Sequence, residues 1–321
     1  MDSRIVTAIV AVVGMPILLV GYIQVGEAIL ARLPKGLARR MRPYVWVFPA
    51  VAFATIFMVL PTINTIVISF QNVKGAWVGI DNYVYFFTNP ETLGSIKNNL
   101  LWLVLFTGFV VGFGLLISVL FDRVKYESIA KTAVFLPLPI SAVAASIIWK
   151  FMYEFQPAGH AQTGTLNAIL GVPGFQPIAW LVNNTTNNFA LIAIGVWTST
   201  GFAMVIISAA LKGINSELLE AARVDGANEV QVLRGIIIPL LMPTLTVIAT
   251  TMIITALKVF DIVFVLTNGA YGTDVIARQL FARIANSDYG RAAAVGVVLL
   301  LAVTPILLLN VKRFREQEEI R

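Results

Sequence analysis

Long apolar segments separated by shorter polar ones dominate the chain. Seven of these segments reach or exceed about 20 residues, the length that a helix needs to cross a bilayer, and they cover residues 5–29, 44–69, 99–121, 131–152, 189–211, 236–266 and 292–311. Since backbone N–H and C=O groups must be satisfied internally inside a membrane, such segments predict spanning α-helices. The expected fold class is an all-α, polytopic membrane helical bundle, with a kink at Pro137 and Pro139 in the fourth span.

The composition agrees with this expectation and excludes several kinds of site. Of the 321 residues, 58% are hydrophobic and only 12% are charged, against roughly 25% charged residues in a soluble domain. Seven spans leave no room for a large soluble catalytic domain. The chain has no cysteine and a single histidine, His160, so disulfides, thiolate metal sites, cysteine nucleophiles and histidine-based metal sites are excluded.

The basic residues predict the orientation of the spans. Alternate polar segments hold 15 of the 23 lysine and arginine residues, whereas the opposite set holds 6; the basic segments are 31–43, 122–131, 212–235 and 312–321. The positive-inside rule places these four segments in the cytoplasm. We therefore expect the N-terminus outside and the C-terminus in the cytoplasm. The net charge of +6 follows from this distribution, and no nucleic-acid partner is expected.

The first apolar segment has two interpretations. A cleaved signal peptide is the alternative, but the apolar run is long and no small-residue cleavage site precedes the arginine-rich stretch. We interpret it as a retained anchor helix. The expected organisation is an N-terminal anchor helix with a basic cytoplasmic linker, a transmembrane domain of six spans, and a cytoplasmic tail, over residues 1–43, 44–311 and 312–321.

One of the basic segments, residues 212–243, has strong local signals. Asn215 or Ser216 can cap a short helix, and Gly226 fits the left-handed position after the helix ends. Asn228, with a glutamine three residues later, can cap a second helix as a capping box. The segment therefore predicts a short helix, a tight turn and a second helix that leads into a span.

This segment also has a simpler interpretation. Glu220 and Arg223 can form an exposed pair on a solvated amphipathic helix, which is worth a few tenths of a kcal/mol. Pro239 is expected to interrupt the second helix as it enters the membrane.

The order of residues in the segment favours a specific family. It resembles the EAA loop of permease subunits of bacterial ABC importers, through Glu220-Ala221-Ala222, Asp225-Gly226-Ala227, Ile236-Ile237-Ile238-Pro239 and Pro243. We call residues 212–243 the EAA-type loop. Further similarities to the maltose-type sugar permeases are found at Gly164, Asn167, Leu170, Trp180-Leu181, Leu266-Thr267-Asn268-Gly269 and Tyr289 to Ala294. The resemblance covers about residues 44–311 and is closest to the subfamily for α-glucosides such as maltose, trehalose or sucrose.

The resemblance implies a function. The chain is expected to be the permease subunit of an ATP-driven, binding-protein-dependent importer of oligosaccharides, in the plasma (inner) membrane of a prokaryote. The implied fold is a six-span core with one extra N-terminal transmembrane helix, working by alternating access. The implied partners are two copies of a cytoplasmic ABC ATPase, a second homologous permease subunit that forms a heterodimer with this one, an extracytoplasmic sugar-binding protein and the lipid bilayer.

The chain itself is not expected to be an enzyme. Its sequence contains no G-x-x-x-x-G-K-[ST] phosphate loop, so ATP and Mg²⁺ are expected to be used by the partner ATPase. No cofactor or metal is expected on this chain.

The resemblance also implies which residues contact the ATPase. The short helix of the EAA-type loop docks in a groove of that subunit, and the corresponding residues here are Glu220, Ala221, Ala222, Asp225 and Gly226. The small alanines allow close approach, Gly226 permits the turn, and Glu220 can meet a basic partner.

Two charged residues lie within the predicted span 236–266. Lys258 and Asp261 are three residues apart, which puts them on one face of a continuous helix. Charged residues within a span usually face a cavity or a partner. They are therefore either a mutual ion pair that packs the bundle or a polar patch on the translocation path that hydrogen-bonds sugar hydroxyls.

A second candidate group lies in the span 189–211. Trp197, Ser199 and Phe202 combine aromatic rings, which cover the apolar faces of a sugar, with a hydroxyl, and the family resemblance favours a lining role for all three. For the neighbouring Thr200 and Gly201, close helix packing is favoured instead. The expected substrate-binding residues are Trp197, Ser199, Phe202, Lys258 and Asp261.

Two other functions remain as alternatives. A secondary sugar transporter, driven by an ion gradient, does not need an EAA-type loop. A membrane enzyme, such as an intramembrane hydrolase, needs a nucleophile–base pair or metal ligands within the spans, and Lys258 with Asp261 is the available pair.

Overall fold

The computed structural model describes residues 3–122, 124–171 and 176–319. These residues form α-helices joined by turns and short loops. In the described part of the chain, β structure is limited to an isolated bridge between Gln71 and Trp77. The expected all-α fold class is confirmed.

The chain divides into two compact units, the first up to Val67 and the second from Ile68 onwards. The functional boundaries expected at residues 43 and 311 stay predictions. The first unit is a hairpin of two long helices, α1 (Ser3–Leu30) and α2 (Lys35–Ile68). Ile68, the last residue of α2, belongs to the second unit. Near the turn between them, Tyr22 donates a hydrogen bond to the carbonyl oxygen of Val45 at 3.1 Å.

The second unit contains the remaining helices. In chain order they are α3 (Asp81–Thr88), α4 (Pro90–Phe121), α5 (Glu127–Phe135), α6 (Ala142–Met152), α7 (Thr165–Leu170), α8 (Asn187–Leu211), α9 (Ser216–Val224), α10 (Glu229–Leu257), α11 (Asp261–Leu266), α12 (Ile276–Ala285) and α13 (Tyr289–Glu319). Within the described residues, six helices are long and apolar enough to cross a membrane: α1, α2, α4, α8, α10 and α13.

The core of the second unit is built around the contact between α4 and α8. A Cβ on Gly114 would lie 2.7 Å from the Cβ of Ala203, so the two helices approach closely at this point. The hydroxyl of Ser118, one turn further along α4, donates to the carbonyl oxygen of Met204 at 2.8 Å. Small residues and interhelical hydrogen bonds of this kind hold helices together in lipid, where apolar burial gives little preference for helix pairing.

The predicted continuous helix over residues 131–152 is wrong. Helix α5 ends at Phe135, a turn occupies residues 136–141, and α6 begins at Ala142. Pro137 and Pro139 lie in the turn, where their missing N–H groups and fixed φ end the helix rather than kink it. With 11 residues, α6 is about 16 Å long and shorter than the hydrocarbon core.

The predicted continuous helix over residues 236–266 is also wrong. Helix α10 ends at Leu257, and α11 begins only at Asp261. Lys258 has φ −102° and ψ 11°, outside the helical region. Residues 258–260 therefore interrupt the helix at the point where the sequence placed two charges.

The interruption expected at Pro239 does not occur there. Residues Leu233–Ile237 form a π turn, in which the N–H of Ile238 donates to the carbonyl oxygen of Leu233, and α10 continues through Pro239. The same arrangement precedes Pro61 in α2, where the π turn covers Thr55–Val59. The wider turn gives the helix room for the proline ring, so the helix does not break.

Gly201 provides a test of the packing of α8. A Cβ at this position would lie 2.6 Å from the carbonyl oxygen of Val134 and 2.9 Å from the Cα of Phe135. We expect Gly201→Ala to destabilise the folded protein by about 1–3 kcal/mol, because backbone atoms cannot move aside. Thermal unfolding of the purified full chain measures this.

Gly112 is the matched control, since it lies in α4 with no atom within 4 Å of its added Cβ. Gly112→Ala should leave stability unchanged or raise it by up to about 1 kcal/mol, through helix propensity. Equal unfolding temperatures for the two variants would contradict the close contact.

Candidate translocation cavity and EAA-type loop

A cavity of about 450 Å³ lies in the second unit beside the interruption between α10 and α11. We call it the polar cavity. It is lined by residues from α4, the 136–141 turn, α6, α8, α10 and α11, including Trp102, Phe106, Leu138, Ile140, Ala142, Thr198, Ser199, Thr255, Lys258, Phe260 and Asp261. Its lining combines aromatic rings, hydroxyl groups and two opposite charges, and such a mixture suits a polyhydroxylated ligand with apolar C–H faces.

The polar side chain that stabilises this interruption is Asn99 of α4. The end of a helix leaves carbonyl groups without helical partners. The side-chain amide of Asn99 donates to the carbonyl oxygen of Ala256 at 3.1 Å, and its oxygen accepts from the N–H of Ile276 at 2.8 Å. Asn99 therefore joins the end of α10 to the start of α12. Non-helical backbone at this depth is tolerated where it lines a cavity, as it does here.

Lys258 and Asp261 both line the polar cavity, but not as expected. They lie on opposite sides of the helix interruption rather than on one helix face. Within the part of the chain that the structure describes, no ion pair joins them. Each charge is exposed and available to a ligand, so this geometry does not support the mutual ion pair.

The expected residues of α8 separate into different environments. Ser199 lines the polar cavity. Trp197, two residues earlier and thus about 200° around the helix, lines a second, apolar cavity of about 570 Å³. There its ring meets that of Trp149 edge to face, with centroids 5.7 Å apart. Phe202 is half-buried against the hydrophobic core.

The packing interpretation agrees with the structure for Gly201, whereas Thr200 bonds within its own helix and lines the apolar cavity. The hydroxyl of Thr200 donates to the carbonyl oxygen of Val196 at 2.7 Å, and Gly201 lies against the backbone of α5. Sequence reasoning missed Trp102 and Phe106, because α4 reads as uniformly apolar and its pattern does not indicate which side faces a cavity.

The EAA-type loop has the predicted local structure. Asn215, rather than Ser216, caps α9 by accepting from the N–H of Glu217 at 3.0 Å. Gly226 adopts φ +89°, the left-handed conformation expected after the helix. Asn228 and Gln231 form the reciprocal capping box at the start of α10.

The two faces of α9 have different partners. Ala222 and Leu219 pack against the chain's own hydrophobic core. Glu220 and Ala221 are exposed, and so is Val224, which is 86% exposed. The exposed face of α9 therefore combines an apolar, a small and an acidic side chain. The sequence pattern did not single out Val224.

The simpler alternative, an exposed pair between Glu220 and Arg223, is not the contact that Arg223 makes. Arg223 instead pairs with Glu229 at the start of α10, with 2.9 Å between Nε and Oε1. This contact crosses the Gly226 turn, which brings the two helices of the loop together.

An ion network ties the start of the EAA-type loop to α5. Glu127 contacts both Lys131 and Lys212, with 2.7 Å between its Oε1 and the Nζ of Lys212. Lys131 also donates to the hydroxyl of Ser208, which is 4% exposed. Hydrogen bonds from Lys131 and then Lys212 lower the pKa of the Glu127 carboxyl below its usual value, and the hydrogen bond that Lys212 donates to Glu127 raises the pKa of Lys212. Sequence reasoning missed this network because Ser208 and Lys212 are distant along the chain from Glu127 and Lys131.

The 153–188 loop is organised by a buried amide. The side-chain oxygen of Asn167 accepts from the backbone N–H of Ile178 at 3.0 Å and from the indole N–H of Trp180 at 3.2 Å. Its amide nitrogen donates to the carbonyl oxygen of Glu154 at 3.1 Å. A Cβ on Gly164 would lie 2.1 Å from the same carbonyl oxygen. The residues of this motif thus have a structural role.

Among the described residues, no group of three or more histidine, cysteine, aspartate or glutamate side chains is arranged to hold a metal ion. The lining of the polar cavity offers hydrogen bonding, ring contacts and two separate charges.

Named proteins share the sequence along most of its length. The osmoprotective compounds uptake permease protein of Synechocystis sp. is 50% identical over 278 residues, which cover 86% of this chain and 100% of that protein. The alpha-glucoside transport system permease protein of Rhizobium meliloti is 41% identical over 279 residues, which cover 86% of this chain and 83% of that protein.

A solved structure shares the fold. The crystal structure of a bacterial ABC transporter involved in the import of the acidic polysaccharide alginate superposes with a TM-score of 0.75 at 26% identity, covering 88% of this chain and 98% of that chain. A family model, described as the binding-protein-dependent transport system inner membrane component, matches residues 5–313. The chain therefore belongs to this family of multi-pass inner membrane transport subunits.

Proposed function

We propose that the chain is the permease subunit of an ATP-driven importer of sugars, with α-glucosides such as maltose, trehalose or sucrose as the substrate class. The observation that carries the proposal is the polar cavity at the interruption between α10 and α11. Broken helices place backbone polar groups and charged side chains at mid-span, where transporters bind substrate. The names of the two relatives, which refer to osmoprotective compounds and alpha-glucosides, agree with this substrate class.

Ser199, Lys258 and Asp261 are the proposed polar contacts in this cavity. A hydroxyl, an ammonium and a carboxylate together offer both donors and acceptors, and the opposite charges make the cavity neutral overall. Such a lining suits a neutral polyol better than an acidic sugar. Phe260, which is half-buried in the lining, provides apolar surface for the sugar ring, whereas Trp102 and Phe106 are almost fully buried. Direct contacts from Trp197 and Phe202 stay predictions.

The proposed assembly follows from the exposed EAA-type loop and from the family. The exposed face of α9 binds a cytoplasmic ATPase subunit. The complex contains two copies of this ATPase, one for this chain and one for a second, homologous permease subunit. An extracytoplasmic binding protein delivers the sugar. The proposed orientation, with the N-terminus outside and the C-terminus in the cytoplasm, rests on the distribution of lysine and arginine.

The ion network at Glu127 gives a physical route from the ATPase to the cavity. Lys212 begins the EAA-type loop, and Glu127 attaches it to α5. Helix α5 leads directly into the 136–141 turn, whose Leu138 and Ile140 line the polar cavity. A movement of the loop is thereby transmitted along α5 to the cavity wall.

The sugar contacts can be tested at the two charges. Asp261→Asn and Lys258→Gln should each reduce sugar uptake by about 10- to 100-fold, the effect of losing one hydrogen bond to a charged group. Binding-protein-stimulated ATP hydrolysis should persist, because the EAA-type loop is untouched. Uptake and hydrolysis are measured in the same proteoliposomes.

Two exposed charges outside the cavity serve as controls. Asp81→Asn and Lys125→Gln remove one negative and one positive charge at exposed positions. Each should leave sugar uptake within about twofold of the wild-type rate, as expected for exposed surface positions. Normal uptake by a Lys258→Met/Asp261→Leu double variant would show that these charges do not bind the sugar.

The ATPase contact can be tested on the exposed face of α9. Val224→Asp places a charge in the proposed interface, and Gly226→Val disfavours the positive φ of the turn. Both variants should reach the membrane at normal levels and lose co-purification of the ATPase. Ile169→Asp is the control, because Ile169 is equally apolar and exposed but lies in the 153–188 loop. Wild-type recruitment by Val224→Asp and Gly226→Val would contradict the proposed coupling surface.

The transmission route predicts a specific defect for Glu127→Gln and Lys212→Gln. Each should bind the ATPase but transport less sugar per ATP hydrolysed, and the two effects should not add in the double variant, because both remove the same contact. Lys125→Gln controls for the loss of a nearby positive charge.

The pH dependence has a defined sign. The pKa of the Glu127 carboxyl is lowered in the folded protein. The contribution of Glu127 to folding stability is therefore complete at pH values above the usual carboxyl pKa, and it is lost as the pH falls through the lowered pKa. The difference in unfolding temperature between wild type and Glu127→Gln should therefore shrink in acid. A difference that is independent of pH, or additive defects in the double variant, would exclude this role for Glu127.

A further inference from the structure

The first unit contains a cleft that the transport function does not use. It has a volume of about 480 Å³ and lies between the end of α1 and the start of α2, lined by Glu27, Arg39, Arg42, Pro43 and Trp46. We call it the basic cleft.

The wall of the basic cleft is fixed by one carboxylate. Glu27 accepts from the guanidinium of Arg42 at 2.9 Å through one oxygen and from the indole N–H of Trp46 at 2.8 Å through the other. The carboxylate is thus engaged on both oxygens by two lining side chains. It holds them in place and contributes no unneutralised negative charge to the cleft.

The remaining charge around the cleft is positive. Residues 31–43 contain five lysine and arginine residues and no aspartate or glutamate. In the described ranges, Arg39 has no carboxylate within ion-pair distance. Arg39 and Arg42 therefore present guanidinium groups whose planar N–H forks match the oxygens of a phosphate.

The same hairpin exposes apolar side chains on the side of the cleft that is further from the turn between α1 and α2. Val20 and Val25 on α1 are exposed, as are Val47 and Val51 on α2. Trp46 lies between the basic and the apolar parts, which is the usual position of a tryptophan at the boundary of a membrane. Cations at one level and bare apolar side chains at the next match the two parts of a phospholipid.

We propose that the basic cleft binds the phosphate group of an anionic phospholipid, with Arg39 and Arg42 as donors and the acyl chains against the exposed faces of α1 and α2. Clusters of four to eight basic residues next to a spanning helix recognise acidic lipids. A free phosphate ion would use the arginines alone, whereas a lipid also uses the apolar surface. The proposed orientation decides only which leaflet supplies the lipid, and the binding itself is independent of the transport function.

The experiment uses the full chain, extracted in detergent with the subunits that co-purify with it. It is incubated with phosphatidylglycerol, or with phosphatidylcholine of the same acyl chains, and retained lipid is counted by native mass spectrometry. We expect preferential retention of phosphatidylglycerol, which a tenfold excess of inorganic phosphate over lipid does not displace. Equal retention of the two lipids, or full displacement by phosphate, would overturn the proposal.

Neighbouring arginines provide a matched pair of variants. Arg39→Gln removes a guanidinium that lines the cleft, and Arg40→Gln removes one that does not; both side chains are exposed, so neither change should disturb folding. Arg39→Gln should weaken retention of phosphatidylglycerol about tenfold, the effect of losing one hydrogen bond to a charged group, and Arg40→Gln should weaken it less than twofold, as expected for an exposed residue outside the site. Equal losses would mean diffuse attraction to the whole basic segment and would refute a defined site.

Discussion

The hydrogen bonds of Asn99 are the interaction on which the polar cavity depends. One buried amide donates to the carbonyl oxygen of Ala256 at the end of α10, which also accepts from the N–H of Val259, and its oxygen accepts from the N–H of Ile276 at the start of α12. An unpaired backbone group would be costly in a membrane, where no bulk water replaces the lost partner. The helix can therefore stop at Leu257, and the residues that follow can turn their charges towards a cavity instead of continuing a helical face.

Helix α8 connects this cavity to the surface that we propose binds the ATPase. Its two sides are occupied by α4 and α5 through contacts at small residues such as Gly201, which leaves little freedom for α8 to move alone. Ser199 in its middle lines the polar cavity, and Lys212 at its end begins the EAA-type loop. Helices α8 and α5 are in contact at Gly201 and are also joined by the ion pair between Glu127 and Lys212. The cavity wall and the EAA-type loop are therefore connected through the same pair of helices.

Features encoded by neighbouring residues were predictable from the sequence. The helical class, the approximate positions of most spans, the caps at Asn215 and Asn228 and the turn at Gly226 each depend on short-range signals. The helix interruptions at 136–141 and 258–260 were missed, because apolar residues continue across them and the compensating partner, Asn99, is distant in sequence. Candidate site residues on one span were grouped by proximity along the chain, whereas the helical rotation separates Trp197 from Ser199.

The π turn before Pro239 has a consequence for the proline that follows it. A π turn holds one residue more than the α-helical turn that it replaces, so the extra residue is absorbed within one turn and the helix beyond it keeps nearly the same rotational phase. A deletion within Leu233–Ile237 that restored an α-helical turn would therefore leave Thr255 of α10 facing the polar cavity. It would also remove the extra room for the ring of Pro239, which in an ordinary helix clashes with the carbonyl group four residues earlier. The length of this stretch thus decides whether the helix continues unbroken from the capping box at Asn228 to the cavity.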